Sequence, residues 1–155
     1  MTPAIIVARK NKIDYRVHEY KFEASAELYG LEAAEKLGQS ARRVFKTLVV
    51  VLDNKEFSVG VIPVSSMLSM KRIAVATGVK RAFMATKADV KRSTGYILGG
   101  VSPLGQKKPL KTFIDSSVMN FDTIYISAGR RGLELEINPN DLITLTNGVC
   151  VELCQ

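Results

Sequence analysis

The sequence predicts an α+β fold: a mixed, barrel-like β-sheet with helices on its flanks. Three observations predict it. Segments of strand-like alternation and segments of helical spacing follow one another irregularly, not as repeating strand–helix–strand units. The run from Thr47 to Leu52 is too continuously apolar for a strand with one wet face, so it belongs in the interior of a sheet. Finally, no repeat, low-complexity block or Pro/Gly/Ser-rich linker divides the 155 residues. That length suits one domain, residues 1–155, with its own hydrophobic core.

The elements follow in order. Thr2-Pro3 reads as a cap followed by an N1 proline, opening a helix over Ala4 to Lys10. Tyr15 to Tyr20 alternates in the manner of a strand. Gly30 to Leu37 carries Leu31, Ala34 and Leu37 at helical spacing and closes on Gly38. Lys46 opens the strand Thr47 to Leu52, and Asp53-Asn54 turns it back into a second strand, Glu56 to Val64. Ser66 to Thr77 reads as a helix closed by Gly78, and Thr86 caps another that runs to Arg92. Strands are expected at Thr112 to Ile114, Thr123 to Ser127 and Leu133 to Ile137. A helix opened by Pro139 runs through Leu145, and Val149 to Leu153 forms the last strand.

Composition narrows the class. Apolar residues make up 46% and charged residues 24%, as in ordinary globular proteins. No apolar run approaches the ~18 residues of a membrane helix, and Arg9, Lys10 and Lys12 follow the first apolar stretch instead of preceding it as in a secretory signal. The two cysteines, Cys150 and Cys154, fall on one face of the last strand, too far apart to bridge, and read as buried or half-buried thiols of a reducing compartment, the cytoplasm. With His18 as the single histidine, they cannot close a zinc shell, so no metal is expected. The net charge of +7 is unevenly spread. Between Val61 and Thr112 stand ten Lys or Arg against Asp89 alone, with the pairs Lys71/Arg72, Lys80/Arg81, Lys91/Arg92 and Lys107/Lys108. Such asymmetry suits a polyanion partner as well as it suits a set of solvated helix faces.

Familiar catalytic spacings are absent: there is no phosphate-binding Walker loop, nucleophile elbow, dinucleotide fingerprint or metalloprotease helix. A Ser-His-Asp triad would have to use His18, and a lone strand histidine is more often a satisfied edge residue than a general base. The most unusual stretch is Ser93 to Lys108, with Gly95, Gly99, Gly100, Gly105 and Pro103 in sixteen residues. It cannot be a helix, and Gly99-Gly100 suits close approach of backbone to a ligand. Freed N–H groups there could bind a carbonyl or oxyanion, with Lys107 and Lys108 beside them for phosphate. A Gly-rich turn between strands explains the same residues.

That loop resembles the signature segment of the YbaK family of aminoacyl-tRNA deacylases. So do Met1 to Ala4, His18 with Tyr20, Glu32 to Gly38, Phe45-Lys46-Thr47-Leu48, and Thr123 to Leu133. The resemblance implies a barrel-like mixed sheet, no cofactor, and removal of cysteine from mischarged Cys-tRNA(Pro), alongside prolyl-tRNA synthetase. It implies that Lys46 holds the terminal phosphate or ribose of the tRNA acceptor end, although alone it would read as a solvated strand-end lysine. Tyr20, Ser127 and Glu134 match family pocket positions, and Gly99, Gly100 and Ser102 would form the wall against the ester carbonyl. Glu134 stands where close relatives commonly have aspartate, so its reach is longer. Ala128 replaces a frequent second glycine, which would tighten the pocket, and Lys21 to Leu28 departs from the family's polar pattern.

An aminoacyl ester is already activated, so positioning and modest stabilisation suffice. Cysteine also brings its own nucleophile. The family's proposed route has the substrate sulfur attack its own ester carbonyl and expel the tRNA; a water oriented by Ser127 is the alternative. Two other readings stand beside this one, deacylation of Ala-tRNA(Pro) and a non-catalytic module that binds tRNA or a synthetase.

Overall fold

The computed structural model describes residues 1–24 and 28–155. Residues 25–27, within the stretch that departs from the family pattern, lie outside the described residues. Helix α1 spans Pro3–Lys10, capped by Thr2, whose hydroxyl accepts the Ile5 N–H. Strand β1 (Tyr15–Glu19) leads towards α2 (Tyr29–Leu37), which ends on the left-handed Gly38. Strands β2 (Phe45–Leu52) and β3 (Phe57–Pro63) form the expected hairpin. Helix α3 (Met70–Thr77), strand β4 (Ala82–Met84), helix α4 (Lys87–Thr94) and strand β5 (Lys111–Asp115) follow. After a short 3-10 turn at Ser116–Asn120 come β6 (Ile124–Arg130), β7 (Leu133–Ile137), α5 (Pro139–Thr146) and β8 (Val149–Val151).

Among the described residues the strands form two sheets, not one closed barrel. One has five strands in the order β4-β2-β3-β5-β8, and the other has three, β1-β7-β6. Interior placement of β2 was expected, and it is flanked by β3 and β4. Antiparallel and parallel pairings coexist, β3 with β5 and β5 with β8 being parallel, so the sheet is mixed as predicted. The barrel fails to close for a local reason. The sheets meet at a single parallel bridge, Val44 with Tyr125, and the ladder goes no further. Beyond that point β6 carries a register irregularity against β7 between Ser127 and Arg130, and a bulge of this kind bends the strand and increases its twist.

Three apolar clusters hold the layers together. The largest packs Phe45, Val61, Ile114, Ile126, Leu135 and Leu142 between the two sheets, α1 and α5. A second seats Ile73 and Ala74 of α3 on Val50, Ile62 and Phe113. A third packs Ala33 and Ala34 of α2 on Val44, Val64 and Tyr125, where the sheets touch.

Three expectations are corrected at the edges. The helix expected from Ser66 begins at Met70, because Ser69 caps it by accepting the Arg72 N–H. The last strand stops at Val151: the Leu153 N–H turns to the Asp115 carboxylate, and Leu153 O accepts from Ser69 N. Consequently the cysteines do not share a strand face; Cys150 is exposed and Cys154 half-buried. The short edge strand β4 and the 3-10 turn went unforeseen, since three to five residues carry no measurable periodicity.

Candidate functional site

A cavity of about 230 Å³ opens where β2 and β6 part after their single bridge. One wall is the start of β2, Phe45 to Leu48, and the other is Ser127 of β6. The first turn of α2 contributes Tyr29, Gly30 and Leu31, and the glycine loop contributes Leu98, Gly99 and Val101. Apolar groups dominate. The polar side chains are Lys46, Ser127 and Thr47, alongside the Tyr29 hydroxyl; neither a carboxylate nor a histidine is among the lining residues described.

Lys46 is half-buried, and that burial draws its pKa below the ordinary lysine range, opposed by the nearby Cys154 sulfur. It has no salt bridge among the described residues, so its charge is available to an anion entering the cavity. The Ser127 hydroxyl accepts the Gly129 N–H at 3.1 Å, which fixes the oxygen and leaves its proton to donate. Thr47 Oγ1 is buried without a hydrogen-bond partner, an unmet donor and acceptor in the cavity wall.

The expected site residues do not all converge. Lys46, Ser127 and Gly99 line the cavity. Glu134 lies on β7 opposite Ser127 on one side and His18 on the other. It is only 7% exposed, its Oε2 has no partner, and burial pushes its carboxyl up to about 8, so it is mainly protonated at neutral pH. Tyr20 lines an adjoining groove; burial raises its pKa, and the charges of Glu134 and Glu32 add to the rise. His18 is the satisfied strand residue expected, 2.9 Å from Glu136 Oε1.

Gly100, Ser102, Lys107 and Lys108 build the loop instead of lining the cavity. A Cβ on Gly100 would fall 2.7 Å from Arg130 Cα, so the glycine lets the loop lie on β6. Ser102 is fully buried, its hydroxyl accepting the Leu104 N–H. Lys107 N and Lys108 N donate to Thr94 O and Ser93 O, tying the loop to the end of α4, and Lys108 borders a different hollow beside Val7 and Leu145. Ala128 does not tighten the cavity: its side chain is in the main core.

Sequence reasoning missed the clamp that shapes one wall. Arg131 donates from Nε (3.2 Å) and Nη2 (2.9 Å) to Glu32 Oε1 and from Nη2 to Glu23 O at 2.6 Å. Its guanidinium lies between the rings of Tyr29 at 4.5 Å and Phe22 at 4.7 Å. Burial would raise the Glu32 pKa, yet the Glu23 N–H and Arg131 hold it below the usual value. The Tyr29 ring, thus braced, packs on Gly99, where a Cβ would come within 3.2 Å. Ninety-nine residues separate Glu32 from Arg131, so no local spacing announces the pair.

Fold and cavity together define a small α+β domain with a compact, mostly apolar cavity whose described lining holds a single cation, Lys46. The chain belongs to the aminoacyl-tRNA editing domain family, whose model matches residues 27–145. It is 37% identical over 153 residues to a candidate Cys-tRNA(Pro)/Cys-tRNA(Cys) deacylase of Enterococcus faecalis, EbsC, covering 98% of this chain and 92% of that protein. It is 26% identical over 125 residues to the Bacillus subtilis protein YwhH, covering 80% and 79%. Among solved structures, a candidate trans-editing enzyme for prolyl-tRNA synthetase superposes with a TM-score of 0.84 at 20% identity, covering 100% of this chain and 99% of the other. Among the described residues no helix is long and apolar enough to cross a membrane.

Proposed function

We propose that residues 1–155 act as one trans-editing deacylase that removes cysteine from mischarged Cys-tRNA(Pro), with Cys-tRNA(Cys) as a second substrate. Prolyl-tRNA synthetase, the source of the error, is the expected partner, and the cytoplasm is where tRNA and synthetase meet. The observation that carries this reading is the cavity itself: compact, mostly apolar, with one cation and neither carboxylate nor imidazole among its described lining residues. With no carboxylate or imidazole there to activate a protein hydroxyl, cleavage draws its nucleophile from the substrate or from water.

Lys46 holds the terminal phosphate or ribose of the acceptor end. The hydroxyl of Ser127 and the backbone at Gly99 face the ester carbonyl and stabilise the negative charge that develops on its oxygen. The cysteine sulfur attacks that carbonyl carbon. An S–C bond forms, the ester C–O bond breaks and the ribose hydroxyl leaves with the proton that the thiol gave up; water then opens the cyclic thiolactone to cysteine. Glu134, kept neutral by burial, puts no negative charge beneath the reacting carbonyl, and Tyr20 borders the approach. Gly100 and Ser102 act through the shape of the loop, and Lys107 and Lys108 contribute at longer range to the field that attracts RNA.

Release of amino acid from purified Cys-tRNA(Pro) and Cys-tRNA(Cys) tests the reading. Cysteine should be freed from the first at catalytic enzyme concentrations. If both tRNAs keep their amino acid, this proposal fails, and release from Ala-tRNA(Pro) then separates a deacylase of another amino acid from a binding module.

A further inference from the structure

Beside the cavity lies a second hollow, an open groove of about 610 Å³ between the start of the Lys21–Phe22 segment and the β6–β7 turn. Its lining combines two kinds of group seldom found together by accident. Lys21 and Arg130 are exposed cations, and neither forms a salt bridge among the described residues. Phe22 is an aromatic ring left 45% exposed, and Ile97 at the tip of the glycine loop is 65% exposed. One carboxylate, Glu19, stands at the rim.

Phe22 is held in place, not merely exposed. Its ring rests against the Arg131 guanidinium at 4.7 Å, and a Cβ on Gly132 would meet Phe22 Cδ1 at 2.9 Å, so the glycine admits the ring onto the turn. Arg131 touches both rings, Tyr29 in the lining of the cavity and Phe22 in the lining of the groove, so the two hollows adjoin at this contact. The glycine loop faces both, with Ile97 on the groove and Leu98 and Gly99 on the cavity. A chain whose end enters the cavity would therefore continue over Phe22. An aromatic platform with flanking cations is the chemistry that grips single-stranded nucleic acid, bases stacking on the ring and phosphates meeting the charges.

We propose that this groove seats the unpaired nucleotides just before the terminal adenosine of the acceptor strand, one base stacked on Phe22 and their phosphates held by Lys21 and Arg130. The inference rests on the editing function proposed above, and its test is independent of catalysis. The full chain is titrated with a 5′-labelled single-stranded RNA ending in CCA, and binding is followed by fluorescence anisotropy over a range of salt. Phe22→Ala should weaken binding about tenfold. Lys21→Glu with Arg130→Glu should also weaken it and make the log–log salt dependence shallower by about 1.4, the share of two phosphates on a single strand. Phe22→Trp should bind as the unaltered chain does. Because the sequence contains no other tryptophan, its emission reports stacking directly and should fall as RNA is added. Absence of RNA binding, or unchanged affinity and salt slope in Phe22→Ala and the double reversal, overturns the groove. Normal deacylation with unchanged RNA binding sinks the groove alone, whereas the expected binding changes without any deacylation sink the editing reaction and leave the groove standing.

Discussion

Two regions of this protein carry positive charge in opposite ways. The segment from Val61 to Thr112 holds ten Lys or Arg against a single acid, yet none of its cations lines the cavity. The flank built from β1, the Lys21–Phe22 segment after it, β6, β7 and the first turn of α2 has mixed charge, yet it faces the cavity with Ser127 and the adjoining groove with Lys21 and Arg130. Charge density in sequence gives a field, and a field attracts RNA from a distance. Placing an ester for cleavage takes a few groups fixed to within a fraction of an ångström. The side chains that line the cavity with polar atoms come from the flank, with its mixed charge, and the start of β2, while the charge-rich segment contributes only the uncharged residues Val64, Leu98, Gly99 and Val101.

The largest effect should come from Lys46→Ala. The side chain lines the cavity, has no salt bridge among the described residues and adds little to the core. Deacylation should fall by roughly 10²–10³, in the range of removing one group that stabilises a transition-state charge, while the melting curve stays where it was. Unchanged activity would move the site away from β2 and break the comparison at its base.

Arg131→Gln should act through the cavity wall. Glu32, 8% exposed, would lose the guanidinium that compensates its buried charge, and the rings of Tyr29 and Phe22 would lose the group between them. Stability should fall by about 3 kcal/mol, measured by urea unfolding. The fall should shrink in Arg131→Gln with Glu32→Gln, because no uncompensated charge is then left behind. Equal losses in the single and double variants would mean that the clamp is not a coupled pair.

Glu134 should write itself into the pH dependence of stability. Its carboxyl is raised from an ordinary 4.5 to about 8 in the fold. Between those values the unfolded chain releases a proton that the folded chain retains, so folding stability falls as pH rises through the window, by at most about 1.4 kcal/mol per pH unit. Glu134→Gln should flatten this fall between pH 5 and pH 8 in denaturant titrations. An unaltered slope would mean that the carboxyl is hydrated.

The smallest effect should belong to the charge-rich segment. Reversing Lys107 and Lys108 removes field without touching the cavity, so deacylation at saturating tRNA should hold and the salt slope should change by less than about one. A change larger than that of the Lys21 and Arg130 reversal would invert the comparison and give the acceptor strand to the α4 side.

The sequence made some of this legible and hid the rest. The helices that announce their ends, α1 behind Thr2-Pro3 and α4 behind Thr86, were readable because caps act within three residues. The interior strand β2 was readable from its unbroken apolar run. Lys46, Ser127 and Gly99 were reachable through family resemblance and do share one cavity. What stayed hidden depends on distance along the chain. The sheets meet at one bridge between Val44 and Tyr125, far apart along the chain, and the wall at Tyr29 is braced by an ion pair between Glu32 and Arg131. Lys107 and Lys108 stand beside the glycine loop in sequence, yet neither lines the cavity. Their backbone is instead engaged with the end of α4.

On the proposed route the cavity offers no carboxylate or imidazole from its described lining and relies on the thiol of the amino acid it removes. Single-turnover release from Cys-tRNA(Pro) and Ala-tRNA(Pro), with the same tRNA and enzyme in excess, tests it most directly. Alanine is smaller than cysteine and fits wherever cysteine fits, and size alone separates such neighbours by only ~1–3 kcal/mol. Cysteine should be lost rapidly while alanine stays attached at its spontaneous rate. Equal rates for the two amino acids would contradict it and hand the chemistry to a water held in the cavity.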